Sequence, residues 1–412
     1  MLAAALLPVP LATAAYAAPA APAARAAAPG APKPPAHMST VGGERLGRAG
    51  TQVRPKKGEK APRPPQNISS RSWIVSDAET GDVLASHNAH WKLPPASTLK
   101  MLFADTVLPK LPKSKQHKVK HSDLKGMGVG SSLVGVKEGS HYSVRDLWRG
   151  VFLRSGNDAV HVLAAMYGGV PKTVRDMNKN AKKLRAGDTH VVTPDGYDKK
   201  GQVSSAYDLT LFARAGLQSA DFRDYASTAR AKFPAEEKKG KKRGSYEIPN
   251  TNRLLTGDVG IKPYPGIAGV KNGSTTNAGN TFTGVAQHGD RVLLVTCMHP
   301  ENEAPFEVYK EAAKLFDWGF GAADKVQPVG KLAAPQSSGT IGGAGRGGKG
   351  GHSGHSAGDG RADAAAKTDK GSSSGVGAAL GITAGCLAVL AIVAYAVHRR
   401  WPLPDLARFR RR

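Results

Sequence analysis

The chain has 412 residues, a formal net charge of +26 and only two cysteines, so its fold must rest on an apolar core. Cys297 falls in an expected strand and Cys386 in an expected membrane span, which excludes a sensible internal disulfide. The positive balance suits nucleic acid or the anionic polymers of a cell wall and membrane, but no basic run is interleaved with the aromatic residues that stack bases, which argues against nucleic acid.

Residues 1–17 are rich in Leu and Ala and end in Ala15-Tyr16-Ala17, the small-x-small pattern of a signal peptide. Residues 18–67 are Ala/Pro-rich and too poor in apolar bulk to offset their ordering entropy, which predicts a disordered linker. One folded domain is expected over 68–325. It starts with strands at Ser72–Asp77 and Asp82–His87, joined by a turn at Glu79-Thr80-Gly81-Asp82. A helix follows from Ser97, introduced by Pro94-Pro95. Another runs from Ser143 to Arg154, breaks at Ser155-Gly156-Asn157 and resumes to Tyr167. Further helices are expected at 171–185, 205–217 and 220–226, strands at 266–273, 280–287 and 290–298, and a closing helix at 304–318. The run Lys238-Lys239-Gly240-Lys241-Lys242-Arg243 reads as a solvated loop. Strands first and last with helices between predict an α/β (α+β) fold, a mainly antiparallel sheet flanked by helices.

Residues 326–375 are a Gly/Ser/Ala linker by composition. Residues 376–397 carry no charge and are long enough to cross a bilayer as a helix, and 398–412 form a basic tail. The positive-inside tendency makes that tail cytoplasmic and everything before the span extracellular.

Three short patterns carry chemistry. Ser97 and Lys100 are three apart, which stacks a hydroxyl and an amine on one helical face, as a nucleophile and its base require. A second copy of this spacing, Ser122 to Lys125, leads into a glycine-rich run and not a helix. Ser155 and Asn157 put a hydroxyl and an amide in one short loop, a proton relay and an acceptor for a peptide N–H. Lys271-Asn272-Gly273 ends a strand with a cation for a carboxylate, beside a glycine that lets substrate approach the backbone.

In that order, on those elements, the three patterns resemble the penicillin-recognising serine D-Ala-D-Ala carboxypeptidases of the actinobacterial kind. The likeness extends to Thr193-Pro194-Asp195-Gly196, Ser205-Ala206-Tyr207-Asp208-Leu209 and Asn250-Thr251-Asn252-Arg253-Leu254-Leu255, and covers 70 to 320. It implies a transpeptidase-like fold and removal of the terminal D-Ala from peptidoglycan stem peptides, with β-lactams as covalent inhibitors and no cofactor or metal. By the resemblance Ser97 is the acylated nucleophile, Lys100 its proton acceptor, and Ser155 and Asn157 the second active-site pair. Lys271, Asn272, Gly273 and Ser274 would bind substrate, with the Ser97 and Ser274 amides as the oxyanion hole. Lys100 can act as a base only if burial and a neighbouring cation disfavour its charged form, and Lys271 is the candidate neighbour. Asn272 stands where the family usually has threonine.

Rival readings are a DD-endopeptidase, a serine β-lactamase, or a non-catalytic protein that holds anionic wall polymer. A β-lactamase needs a carboxylate to activate water. No glutamate lies between Glu138 and Glu236, leaving only aspartates such as Asp188 and Asp195. His87, His141, His161 and His288 sit in no catalytic motif and read as surface or satisfied core groups.

Overall fold

The computed structural model describes residues 32–336. After a 3-10 turn at Glu44–Gly47, β1 (Thr51–Val53) leads into the hairpin of β2 (Ser70–Asp77) and β3 (Asp82–His87). Asp77 closes the hairpin turn by accepting the Glu79 and Thr80 amides at 3.0 and 2.8 Å. The helical part begins with α1 (Lys100–Val107). Next come the small ladder of β4 (Gln116–Lys118) and β5 (His141–Ser143), then α2 (Val144–Arg154), α3 (Asn157–Tyr167) and α4 (Val170–Lys183). α5 (Ala206–Gly216) and α6 (Ala220–Ser227) precede a second hairpin, β6 (Arg230–Pro234) and β7 (Ser245–Pro249). The short α7 (Arg253–Thr256) returns the chain to β8 (Ile267–Thr275), β9 (Gly279–His288) and β10 (Arg291–Pro300). α8 (Glu307–Ala322) and β11 (Gly330–Lys331) complete it. Serines start three of the helices because their hydroxyls accept an otherwise unpaired amide of the first turn: Ser143 from Asp146, Ser205 from Asp208 and Ser219 from Phe222.

The main sheet has seven strands in the order β1-β3-β2-β10-β9-β8, with β11 also on β3, and each of these pairings is antiparallel. The C-terminal strands thus join the N-terminal hairpin, as their placement in the sequence predicts. Strand alternation sorts β10 between two cores: Leu293, Val295 and Cys297 pack with α8, while Leu294 and Met298 pack with α1 to α6. Phe316 is fully buried on the α8 side. Phe316→Ala should therefore cost about 3–5 kcal/mol, read as a lower urea midpoint at unchanged slope.

Two expectations need correction. The linker expected over 18–67 is ordered among the described residues: β1 pairs with β3, Leu46 is fully buried, and Met38 and Val41 pack against the core. The linker expected from 326 onward likewise begins with β11 on β3 and with buried Val326, Val329 and Leu332. Composition undercounts these stretches because their backbone satisfies itself on an open sheet edge and needs only a few apolar anchors. The hairpin of β6 and β7 goes unread in the sequence because each strand buries a single large apolar side chain, Phe233 and Ile248. The expected solvated lysine run is its exposed tip.

The expected signal peptide at 1–17, the membrane span at 376–397 and the tail at 398–412 lie outside the described residues. Among the described residues no helix is long and apolar enough to cross a membrane.

Candidate active site

The Ser97 turn is built before α1 and not as its first turn. Ala96–Leu99 form a 3-10 turn, with Ala96 at φ 49°, and Lys100 opens α1. A 3-10 turn has about 3.0 residues per turn, so residues three apart eclipse more closely than on an α-helix. The Lys100 Nζ accordingly lies 2.6 Å from the Ser97 Oγ. The turn is held at Pro95, whose carbonyl accepts the Thr98 hydroxyl at 2.5 Å and the Thr281 hydroxyl of β9 at 3.0 Å. Two glycines press on it: a Cβ on Gly196 would lie 2.0 Å from the Ala96 carbonyl oxygen, and one on Gly273 2.6 Å from the Ser97 nitrogen. Gly273 is thus where β8 meets the Ser97 backbone.

Lys100 is buried and donates to three oxygens: Ser97 Oγ, Asn157 Oδ1 at 2.7 Å and the Asp195 carbonyl at 2.8 Å. Burial pulls it down to about 8, against the opposing pull of the Asp195 and Asp158 carboxylates. Two of its three partners can only accept, because a carbonyl has no hydrogen and Asn157 turns its Nδ2 to Ser131 Oγ at 2.9 Å. Once neutral, Lys100 must therefore spend its two hydrogens on those partners and aim its lone pair at the Ser97 hydroxyl.

Asn157 is fixed in turn. Its amide donates to Ser132 O at 2.8 Å, and the next residue, Asp158, accepts the amides of Val134, Gly135 and Val136 at 2.8 to 3.0 Å. Ser155 caps α2 in the left-handed conformation, and its hydroxyl is buried with no hydrogen-bond partner among the described residues.

Lys271 is as buried as Lys100, at 1 % exposure each. Its ammonium donates to the Asn272 carbonyl at 2.7 Å and to Asn272 Oδ1 at 3.3 Å. Burial, with the charge of Lys100 adding to it, pulls Lys271 well below the usual lysine range. Burial is the leading cause at both amines, as expected for Lys100, and the charge of Lys100 adds to it at Lys271. By strand alternation Gly273 shares the Lys271 face against the Ser97 turn, while Asn272 and the exposed Ser274 point the other way.

The structure thus joins Ser97, Lys100 and Asn157 by direct hydrogen bonds, sets Gly273 on the same turn and brings the Lys271 charge within reach of Lys100. Ser131, Asp158 and the Asp195 carbonyl were not singled out as site residues in the sequence. Nothing in the spacing of Ser131 marks it, and a backbone carbonyl leaves no side-chain signature.

Burial pushes the Asp195 carboxyl up, but its hydrogen bond to His161 and the Lys100 charge outweigh this and hold it at about 2. The carboxylate faces His161 Nε2 at 3.4 Å. Asp188 faces His90 Nδ1 at 2.6 Å and accepts Ser205 Oγ at 2.9 Å, so the site offers neither as a ready base for a β-lactamase. His90, Asp188 and Asp208 are the one grouping with metal-ligand types among the described residues. Both His90 nitrogens already face oxygens, Asp188 and the Val41 carbonyl at 3.0 Å, which leaves the ring engaged in hydrogen bonds and not free for an ion.

A profile of the D-alanyl-D-alanine carboxypeptidase family, peptidase S11, matches residues 58–302. D-alanyl-D-alanine carboxypeptidase DacB2 of Mycobacterium tuberculosis is 36% identical over 266 residues, which cover 64% of this chain and 86% of that protein. DacD of Escherichia coli is 34% identical over 272 residues, covering 63% of this chain and 65% of DacD. Among solved structures, a D-alanyl-D-alanine carboxypeptidase from Mycobacterium tuberculosis superposes with a TM-score of 0.60 at 35% identity, over 68% of this chain and 100% of that one. The Streptomyces K15 DD-transpeptidase, at 24% identity and a TM-score of 0.58, covers 63% of this chain and 99% of its own and shares the fold.

Proposed function

This chain belongs to the peptidase S11 family of D-alanyl-D-alanine carboxypeptidases, and we infer that it is a serine hydrolase that removes the terminal D-alanine from peptidoglycan stem pentapeptides. The observation that carries this reading is the Lys100 amine, 2.6 Å from Ser97 Oγ with its other two hydrogens committed to acceptors. Neutral Lys100 takes the Ser97 proton as Oγ attacks the carbonyl between the two D-alanines. The Ser97 and Ser274 amides receive the developing oxyanion; removing one such donor elsewhere costs about 3 to 4 kcal/mol. The C–N bond breaks, and the leaving D-alanine amine takes the proton from Lys100 by way of the Ser155 hydroxyl. Water then attacks the acyl ester and gives a proton to Lys100; the ester C–O bond breaks and Lys100 returns that proton to Ser97 Oγ, which frees the serine and leaves the peptide one residue shorter with a new carboxylate. Lys271 supplies positive charge for the substrate's terminal carboxylate, and a β-lactam acylates the same serine.

The reading extends to place. The uncharged segment 376–397 and the arginines after it would hold the enzyme in the membrane with this domain outside, where its net positive charge favours anionic wall polymer. Fluorescent penicillin should label a band in the membrane fraction of expressing cells, and the purified protein should release D-alanine from a pentapeptide. Ser97→Ala should lose both. Absence of label and of D-alanine would leave a wall-binding protein, and conversion of cross-linked dimers without release from monomers would make it an endopeptidase.

A further inference from the structure

Thr251 has no role in the chemistry above, yet it bridges two parts of the site. Its amide donates to the Leu153 carbonyl at 2.9 Å, two residues before Ser155 in the last turn of α2. Its hydroxyl donates to Asn272 Oδ1 on β8 at 3.0 Å. Tyr309 of α8 holds Thr251 from behind, its hydroxyl donating to the Thr251 carbonyl at 3.1 Å and meeting the Asn272 amide. The same Asn272 oxygen that accepts from Thr251 accepts from the Lys271 ammonium.

The chemistry of this chain of contacts is directional. Lys271 Nζ has three hydrogens; its two hydrogen-bond partners are the carbonyl and amide oxygens of Asn272, both neutral, and no carboxylate pairs with it among the described residues. One hydrogen remains for an anion, and a carboxylate placed there would favour the charged form that burial disfavours. An asparagine amide can turn by a half rotation, and the turned form would set its NH2 against the ammonium. The Tyr309 hydroxyl, its hydrogen given to the Thr251 carbonyl, meets the Asn272 amide only as an acceptor and so favours the orientation in which oxygen faces Lys271; the Thr251 hydroxyl donates to that oxygen and holds it there.

The geometry points to Thr251 as a positioning residue for recognition of the substrate's terminal carboxylate, acting through Asn272 on Lys271. This rests on the carboxypeptidase reading, because it takes the ligand of Lys271 to be the C-terminal carboxylate of a D-Ala-D-Ala peptide. Where residue 272 is asparagine, the hydroxyl that organises this subsite comes from the segment before α7 and not from β8. Burial makes the arrangement sensitive, since a buried cation with a misdirected neighbour has no solvent to compensate it.

The test compares two peptides that end in D-Ala-D-Ala, one with a free carboxylate and one capped as the carboxamide. In Thr251→Val the KM for the free peptide should rise about tenfold while kcat changes by less than about threefold, because what is lost is binding shared by ground and transition states. The inhibition constant of the carboxamide peptide should stay within about twofold, since it lacks the charge that Lys271 reads. Thr251→Ser should restore the wild-type KM. Thr251→Ala, which removes the hydroxyl without setting a methyl group in its place, gives the same comparison if valine perturbs folding. Equal weakening of both peptides, or an unchanged KM, overturns the inference. A wild-type enzyme that releases no D-alanine overturns the carboxypeptidase reading instead, so the two failures are distinct.

Discussion

Replacing Lys100 with methionine should slow acylation of Ser97 by a fluorescent penicillin about a thousandfold, within the range that a positioned general base contributes. Methionine fills the same channel but has neither lone pair nor charge, so the lost rate reports the amine and not the space. In the wild type the same argument fixes a pH dependence. Lys100 is lowered from the reference value of 10.5 to about 8, and only its neutral form accepts the proton. The acylation rate should therefore climb as pH rises towards about 8 and level off above it. At pH 7 roughly a tenth of the molecules carry the neutral amine, by the tenfold-per-unit rule. Stability follows the same sign. Between about 8 and 10.5 the unfolded chain binds the proton that the folded one has released, so this lysine's contribution improves as pH rises through that window and is at its least favourable below it. Stopped-flow acylation from pH 6 to 9 measures the profile, and a rate that falls with pH, or a Lys100→Met enzyme that acylates normally, would remove Lys100 as the base.

The second large effect should come from one methyl group. Gly273→Ala places a Cβ 2.6 Å from the Ser97 nitrogen and 2.6 Å from Thr281 Oγ1, nearer than real side chains approach backbone. Strand β8 must then back away from the Ser97 turn. The turn itself is held by Thr281 and Thr98 on the Pro95 carbonyl, so the gap opens at the oxyanion position. The loss expected in kcat is about 10²- to 10³-fold, the size seen when one oxyanion donor is lost. Because the change lies at the cleft and leaves both cores intact, the melting temperature should fall by only a few degrees. A Gly273→Ala enzyme of near-normal kcat would mean that β8 takes no part in shaping the oxyanion site.

What could be read without coordinates divides along physical lines. Strongly patterned elements are found close to where their residues predict: Asp82–His87 is observed as expected, and the helix expected from Ser143 begins one residue later because Ser143 is its cap. The Ser97 turn is 3-10 where the sequence predicts an α-helix, yet its pairing with Lys100 is legible because i and i+3 meet in either geometry. Asn157 was legible as an amide beside the break after α2, although the break is only Ser155-Gly156 and Asn157 is the first residue of α3. The partners that orient it were not, because Ser131 and Ser132 lie in a glycine-rich run with no periodicity. Flanking order was missed for a related reason: β1 and β11 carry almost no hydrophobic signal and exist because β3 offers them a ladder.

That shared ladder has a practical corollary for anyone preparing this domain. The family match ends at residues 58 and 302, inside both clasping segments, so an excised fragment trimmed to it would lose β1, β11 and all of α8. The naked margin of β3 would then invite intermolecular strand exchange, and an apolar sheet face would be left wet. A soluble preparation should keep the chain from about Met38 through Gln336, however dispensable its alanines and prolines look on paper.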